Sequence, residues 1–189
     1  MAGISSAPGR CPNTKIWRTK PVTTANRLVI TTPTAARTRA LGRRIAKHLR
    51  ASDVLLLQGP LGAGKTTFAQ GIGAGLHVEG PVRSPTFVLM TRHVPAEGAK
   101  LPLYHADLYR LDDVLQVEDL ALDEQARDGV LLVEWPERGV EALPGSHLLV
   151  VLEAIAAPAG ARRITIVAVG DRYRHILDAL QAAGLADRV

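Results

Sequence analysis

Residues 54–76 read VLLLQGPLGAGKTTFAQGIGAGL, and within them Gly59, Gly64, Lys65 and Thr66 satisfy the pattern G-x-x-x-x-G-K-[ST]. The letters stand where the chemistry needs them. An all-apolar run at 54–57 reads as a strand covered on both faces, and a helix is expected from Lys65–Leu76. The intervening glycines allow the chain to curl until successive N–H groups point inward and cradle phosphate, with the helix N-terminus adding its positive end. Lys65 is expected to reach the β- and γ-phosphates of a nucleotide and the Thr66 hydroxyl to ligate magnesium. Gly71, Gly73 and Gly75 do not open a helix after a strand, so they are not a dinucleotide fingerprint; close packing and a C-terminal stop are their expected roles.

Working outward, strand 27–31 is followed by Pro33 and Thr34, which can open a helix to about Arg50. Leu41, Ile45 and Leu49 recur every four residues as its buried stripe, while Arg39, Arg43, Lys47 and Arg50 fall elsewhere. Residues 86–92 and 101–106 form a predicted antiparallel hairpin around HVPAEGAK; 112–125 are short helical or irregular; 130–133 form a buried strand ending at Glu134. A second hairpin joins 147–155 to 162–169, and a last helix, N-capped by Asp171, ends near Gly184. The fold class expected is α/β, a P-loop NTPase three-layer sandwich with a mixed, mainly parallel sheet and antiparallel hairpins.

With 189 residues, 47% of them hydrophobic, one well-buried core is expected, divided into a flexible basic extension at 1–26 and a P-loop ATPase domain at 27–189. No apolar run approaches the ~20 residues a spanning helix needs, and the leader has no secretory core, so a cytoplasmic location with no membrane contact is expected. Cys11 is the only cysteine and excludes an intrachain disulfide. Net charge is +5, unevenly spread: residues 1–52 contain eleven Lys or Arg and no Asp or Glu. Such a front half can hold nucleic acid or an acidic partner, or can be a solvated leader followed by the wet face of one helix.

A magnesium–nucleotide site also calls for an acid at the end of a neighbouring strand. Glu134, after VLLV, and Asp107, after LPLYHA, both qualify; one would serve the metal and the other the attacking water. Ser84, Pro85 and Thr86 place hydroxyls where a segment could sense the γ-phosphate, or form a turn before a strand. Arg110 can stabilise transition-state charge or pair with Asp112 or Asp113. Trp135 can stack on a nucleotide or a partner, or close a core edge. A guanine nucleotide is not expected, because no N-K-x-D string is present. A small-molecule kinase is the alternative to a hydrolase, although no clear lid segment is visible.

Four stretches, GPLGAGKTTFAQGIGAGL, SPTFVL, YHADLYRL and LLVEWPERG, in that order and spacing resemble the bacterial TsaE family. The resemblance covers roughly residues 30–170 and implies an ATP-hydrolysing accessory protein of tRNA threonylcarbamoyladenosine biosynthesis. Such a protein works with TsaB and TsaD homologues on the adenosine beside the anticodon of tRNAs reading ANN codons. It further implies that Gly62, Ala63, Gly64, Lys65, Thr66 and Thr67 hold the phosphates of ATP, that Thr66 and Glu134 bind Mg2+, and that Asp107 is the catalytic carboxylate. Thr86 is by the same resemblance the switch residue, and Thr34 and Arg162 are nucleotide contacts.

Overall fold

The computed structural model describes residues 26–85, 89–111, 113–156 and 158–185; the basic extension other than Asn26 lies outside them. Its centre is β2 (Asp53–Gln58), buried at every position. Alternation along β2 sends Leu55 and Leu57 into one apolar core and Val54 and Leu56 into another. That double burial is what an uninterrupted apolar strand predicts, and it makes β2 an interior strand of a sheet with both faces covered.

Around it are β1 (Arg27–Thr32), β3 (Met90–His93), β4 (Leu103–Asp107), β5 (Val130–Glu134), β6 (His147–Ala154) and β7 (Arg162–Val169). The seven strands lie in the order β1-β7-β6-β2-β5-β4-β3. β4, β5, β2 and β6 are mutually parallel, and β1 shares their direction because it is antiparallel to β7, itself antiparallel to β6. Only β7 and β3 oppose the rest, as the two expected hairpins require. The face of Leu55 and Leu57 is covered by α1 (Ala35–Ala46), α2 (Lys65–Leu76) and α5 (Arg174–Ala182). The opposite face is covered by the short α3 (Val114–Asp119) and α4 (Leu122–Gln125).

α1 begins behind Thr34, which keeps an extended backbone and whose Oγ1 accepts a hydrogen bond from the Arg37 N–H at 3.3 Å. It stops at Ala46 rather than near Arg50. A tighter turn takes over, with the His48 and Leu49 N–H groups donating to the Ile45 and Ala46 carbonyls, and Leu49 stays buried. α1 and α2 nearly touch backbone to backbone: a Cβ on Gly71 would sit 2.2 Å from the Arg39 carbonyl oxygen, and one on Gly75 2.6 Å from that of Arg43. Glycine is required there by space alone. The stop falls to His77, which takes the left-handed conformation at φ 57° and donates its N–H to the Gly73 carbonyl.

One further expectation reaches outside the described residues and another is corrected. β3 starts at Met90, and residues 86–88, including Thr86, lie outside the described residues. Asp171 does not cap the last helix; it opens a short 3-10 turn, Asp171–Tyr173, and pairs with Arg174 Nε at 3.1 Å, while α5 starts behind Tyr173 with no side-chain cap. The turn intervenes because the Tyr173 ring is drawn into the core, where its hydroxyl accepts from the Val54 N–H at 2.9 Å.

Candidate phosphate-binding site

Leu57, Glu134 and Asp107 are register partners across β2, β5 and β4, so the phosphate loop and the two carboxylates emerge together at the carboxyl ends of three adjacent parallel strands. In open α/β sheets that edge is where ligands bind. A cleft of about 350 Å³ opens there, walled by Gly62, Gly64, Lys65, Thr66 and Thr67 on one side and by Ser84, Asp107, Glu134, Trp135 and Arg162 on the other. The loop's curl needs glycine at three places, Gly59 at φ 151°, Gly62 at φ 77° and Gly64 at φ 104°.

Lys65 is folded back into this cleft. Its ammonium donates to the carbonyls of Gly59 at 2.7 Å and Pro60 at 3.1 Å and lies 3.8 Å from the centroid of the Trp135 ring. Burial holds it below the usual lysine range, against the opposing pull of Glu134, Glu137 and Asp107. Trp135 presents its ring from a left-handed backbone, φ 59°, an uncommon conformation for a bulky residue. The Tyr109 ring packs against it, tilted by 50°, at 4.8 Å between centroids. Half-buried and facing the cleft, the indole is therefore a wall of the site.

Glu134 is 2% exposed and accepts from the Thr66 hydroxyl at 3.1 Å. Asp107 accepts from the Ser84 hydroxyl through one oxygen and from the Tyr109 N–H at 3.0 Å through the other. Thr66 and Glu134 offer the hard oxygen donors that magnesium prefers. Among the described residues no group of three His, Cys, Asp or Glu could enclose a metal unaided. This is the donor set of an ion completed by phosphate oxygens and water, so the residues fit magnesium.

Arg162, at the start of β7, reaches across the hairpin to the loop itself: Nε donates to the Ala63 carbonyl at 2.7 Å and Nη2 to that of Gly62 at 3.1 Å. These bonds tie the loop backbone to the β6–β7 hairpin. Ala63 is 1% exposed, so its contribution to the site is backbone. Thr34 is not in this cleft; its neighbours Ala35 and Thr38 line a narrow fissure beside it with Gly64, Thr67 and Arg162. Arg110 is exposed and forms no ion pair among the described residues. A concavity of about 420 Å³ lies at the opposite end of β2, where Arg172 Nε meets Asp53 Oδ1 at 2.6 Å and the Tyr173 hydroxyl is bonded to Val54, with Asp123 and Arg127 also in its lining.

The sequence model described as threonylcarbamoyl adenosine biosynthesis protein TsaE matches residues 32–164. The chain belongs to the TsaE family. A Streptomyces coelicolor protein named tRNA threonylcarbamoyladenosine biosynthesis protein TsaE is 45% identical over 138 residues, covering 71% of this chain and 93% of that one. A Bacillus subtilis protein of the same name is 42% identical over 144 residues, covering 76% and 87%. The crystal structure of Bacillus subtilis YdiB superposes with a TM-score of 0.67 at 34% identity, over 84% of this chain and 96% of that one.

In this TsaE-family chain the sequence reading passes over His105. The imidazole is fully buried, with Nε2 3.0 Å from Glu134 Oε1, so it braces the same carboxylate that Thr66 touches. The signal was the spacing: two residues apart on β4, His105 and Asp107 share a face. Glu137 was also missed. Burial pushes its carboxyl above the usual range, and Lys65 and Arg138 pull against that only in part. No hydrophobic period marks a residue in the 3-10 turn Pro136–Arg138, so the sequence held no comparable signal for it.

Proposed function

We propose that this TsaE-family chain is a magnesium-dependent ATPase serving threonylcarbamoyl modification of the adenosine next to the anticodon in tRNAs reading ANN codons. It acts in the cytoplasm with TsaB and TsaD homologues. The observation that carries the ATPase reading is the alignment of the phosphate loop, Glu134 and Asp107 at one edge of the sheet. The part in tRNA modification rests on family membership.

The loop amides and Lys65 bind the triphosphate, and the indole of Trp135 screens the lysine from water. Thr66 and Glu134 hold the metal, with His105 fixing the carboxylate's orientation. Magnesium supplies charge neutralisation at the phosphates when bound. Asp107, set by Ser84 and the Tyr109 N–H, orients the attacking water and accepts its proton. With Tyr109 and Leu61 exposed at the rim, the cleft is open, so the isolated chain turns over slowly and the partner proteins complete water exclusion. The test is calorimetric titration of ATP with magnesium, followed by hydrolysis with and without the partners. Wild type binds and is accelerated by the partners, whereas Lys65→Ala loses binding. Near wild-type hydrolysis by Lys65→Ala refutes the site.

A further inference from the structure

We infer that the exposed face of α1 is a docking surface for the phosphodiester backbone of RNA. From position 35 to 47 every exposed residue is alanine, arginine or lysine: the cations are Arg37, Arg39, Arg43, Arg44 and Lys47, separated only by Ala35, Ala36 and Ala40. At 3.6 residues per turn the five fall within one arc of about 160°. The complementary arc holds Thr38, Leu41, Gly42, Ile45 and Ala46, all buried. The basic face is therefore a continuous stripe about 15 Å long from Arg37 to Lys47 at 1.5 Å per residue.

An ordinary solvated helix face interleaves opposite charges, because pairs three and four residues apart then stabilise the helix. α1 does the reverse. Arg39 with Arg43, and Arg43 with Lys47, set like charges four apart, and among the described residues none of the five cations pairs with a carboxylate. The first turn has no acid, and Arg37 stands there against the positive end of the helix dipole. Arg43 and Arg44 lie in the last turn and Lys47 at the C-cap, where the dipole favours cations, so the helix tolerates a face that concentrates positive potential outward.

Four of the five are arginine, whose planar fork matches phosphate oxygens two at a time, and the intervening alanines let a backbone approach closely. Charge complementarity thus selects a polyanion with regularly repeated phosphates. The stripe begins beside the nucleotide cleft, since Ala35 and Thr38 border the fissure shared with Gly64, Thr67 and Arg162. The choice of tRNA as the RNA rests on the proposed function, but binding here needs no ATP hydrolysis, so either can fail without the other.

The probe is a fluorescein-labelled unmodified tRNA transcript, titrated with the full chain by anisotropy across a salt series. The quadruple substitution Arg37→Gln, Arg43→Gln, Arg44→Gln, Lys47→Gln leaves Arg39 in place on Gln70. It lowers affinity at least 10-fold at low salt and reduces the slope of log affinity against log salt by about 3, since each lost phosphate contact removes about 0.7–0.9. Melting temperature and magnesium–ATP affinity stay at wild-type values, and the Arg→Lys version of the three arginine changes keeps most of the slope. Wild-type tRNA affinity and slope in the quadruple variant overturn the proposal. So does loss of binding only when Arg10, Lys15, Arg18 and Lys20 are neutralised instead. A variant that keeps tRNA but no longer binds the partner proteins assigns the face to an acidic protein and refutes the RNA reading.

Discussion

Replacing Asp107 by asparagine separates a chemical role from a structural one. The side chain holds two bonds, from the Ser84 hydroxyl and the Tyr109 N–H. Asparagine can keep both, accepting from Tyr109 and donating its amide to Ser84, but loses the charge that strengthens them. A hydrogen bond to a charged group contributes about 1.5–3 kcal/mol against about 0.5–1.5 for a neutral pair, so each bond weakens by roughly 1 kcal/mol. Because Asp107 is only half-buried, about 1 kcal/mol in total is the expected stability loss, a fall in melting temperature of about 2–4 °C. The catalytic effect is larger. Losing the group that orients and deprotonates water lowers turnover about 10²-fold or more, roughly 2.7 kcal/mol in the barrier, with ATP affinity retained. The assay is steady-state hydrolysis at saturating ATP with partner proteins present, normalised to folded protein, beside calorimetric ATP affinity. Glu134→Gln gives the contrast: its Oε1 still accepts from His105, but an anionic metal ligand is gone, so affinity falls in a magnesium-dependent way and added magnesium partly restores activity. An Asp107→Asn chain with normal turnover, or one rescued by magnesium, would refute the division of labour.

Gly71→Ala forces a methyl group to within 2.2 Å of the Arg39 carbonyl, between two backbones that cannot yield separately. Overpacking of about 2–3 kcal/mol outweighs the roughly 1 kcal/mol alanine gains over glycine in a helix, so thermal denaturation should show a drop of several degrees. His93 and His147 both have pKa values lowered from 6.5, chiefly by burial, with His105 adding to the effect at His93 and the Pro144 carbonyl opposing it at His147. Below pH 6.5 the unfolded chain takes up protons that the native chain does not, so stability falls from there down to the folded pKa values. Each histidine contributes at most about 1.4 kcal/mol per pH unit, and chemical denaturation between pH 7.5 and 5 measures it.

β2 and β5 were legible because each is a short apolar run with a hard boundary, β2 being followed by Gly59 and β5 ending in the charge of Glu134, and α2 because the phosphate-loop pattern opens it. The site was legible where loop and acids sit at strand ends, since parallel pairing brings such ends together whatever their separation along the chain. What escaped depended on tertiary packing. The end of α1 is set by how closely it must pass α2, the start of α5 by the burial of Tyr173, and the stop of α2 by a histidine in a conformation usually left to glycine. His105 was within reach of a period-two reading, but its partner lies on the next strand. The contacts of Arg162 with the loop carbonyls span about a hundred residues and leave no local trace.

The folded-back lysine has a thermodynamic consequence. Lys65 has already surrendered most of its hydration, exchanging water for two carbonyl dipoles and the negative face of an indole. A solvent-exposed ammonium must shed its water at the moment an anion arrives; this one did so when the chain folded. Lys65 is therefore a buried cation whose pKa burial holds down, and a phosphate entering the cleft would supply the negative charge that the two carbonyls and the indole do not. The same tension means that filling the cleft relieves the fold as well as occupying the site, so ligand affinity and global stability are two readings of one buried charge.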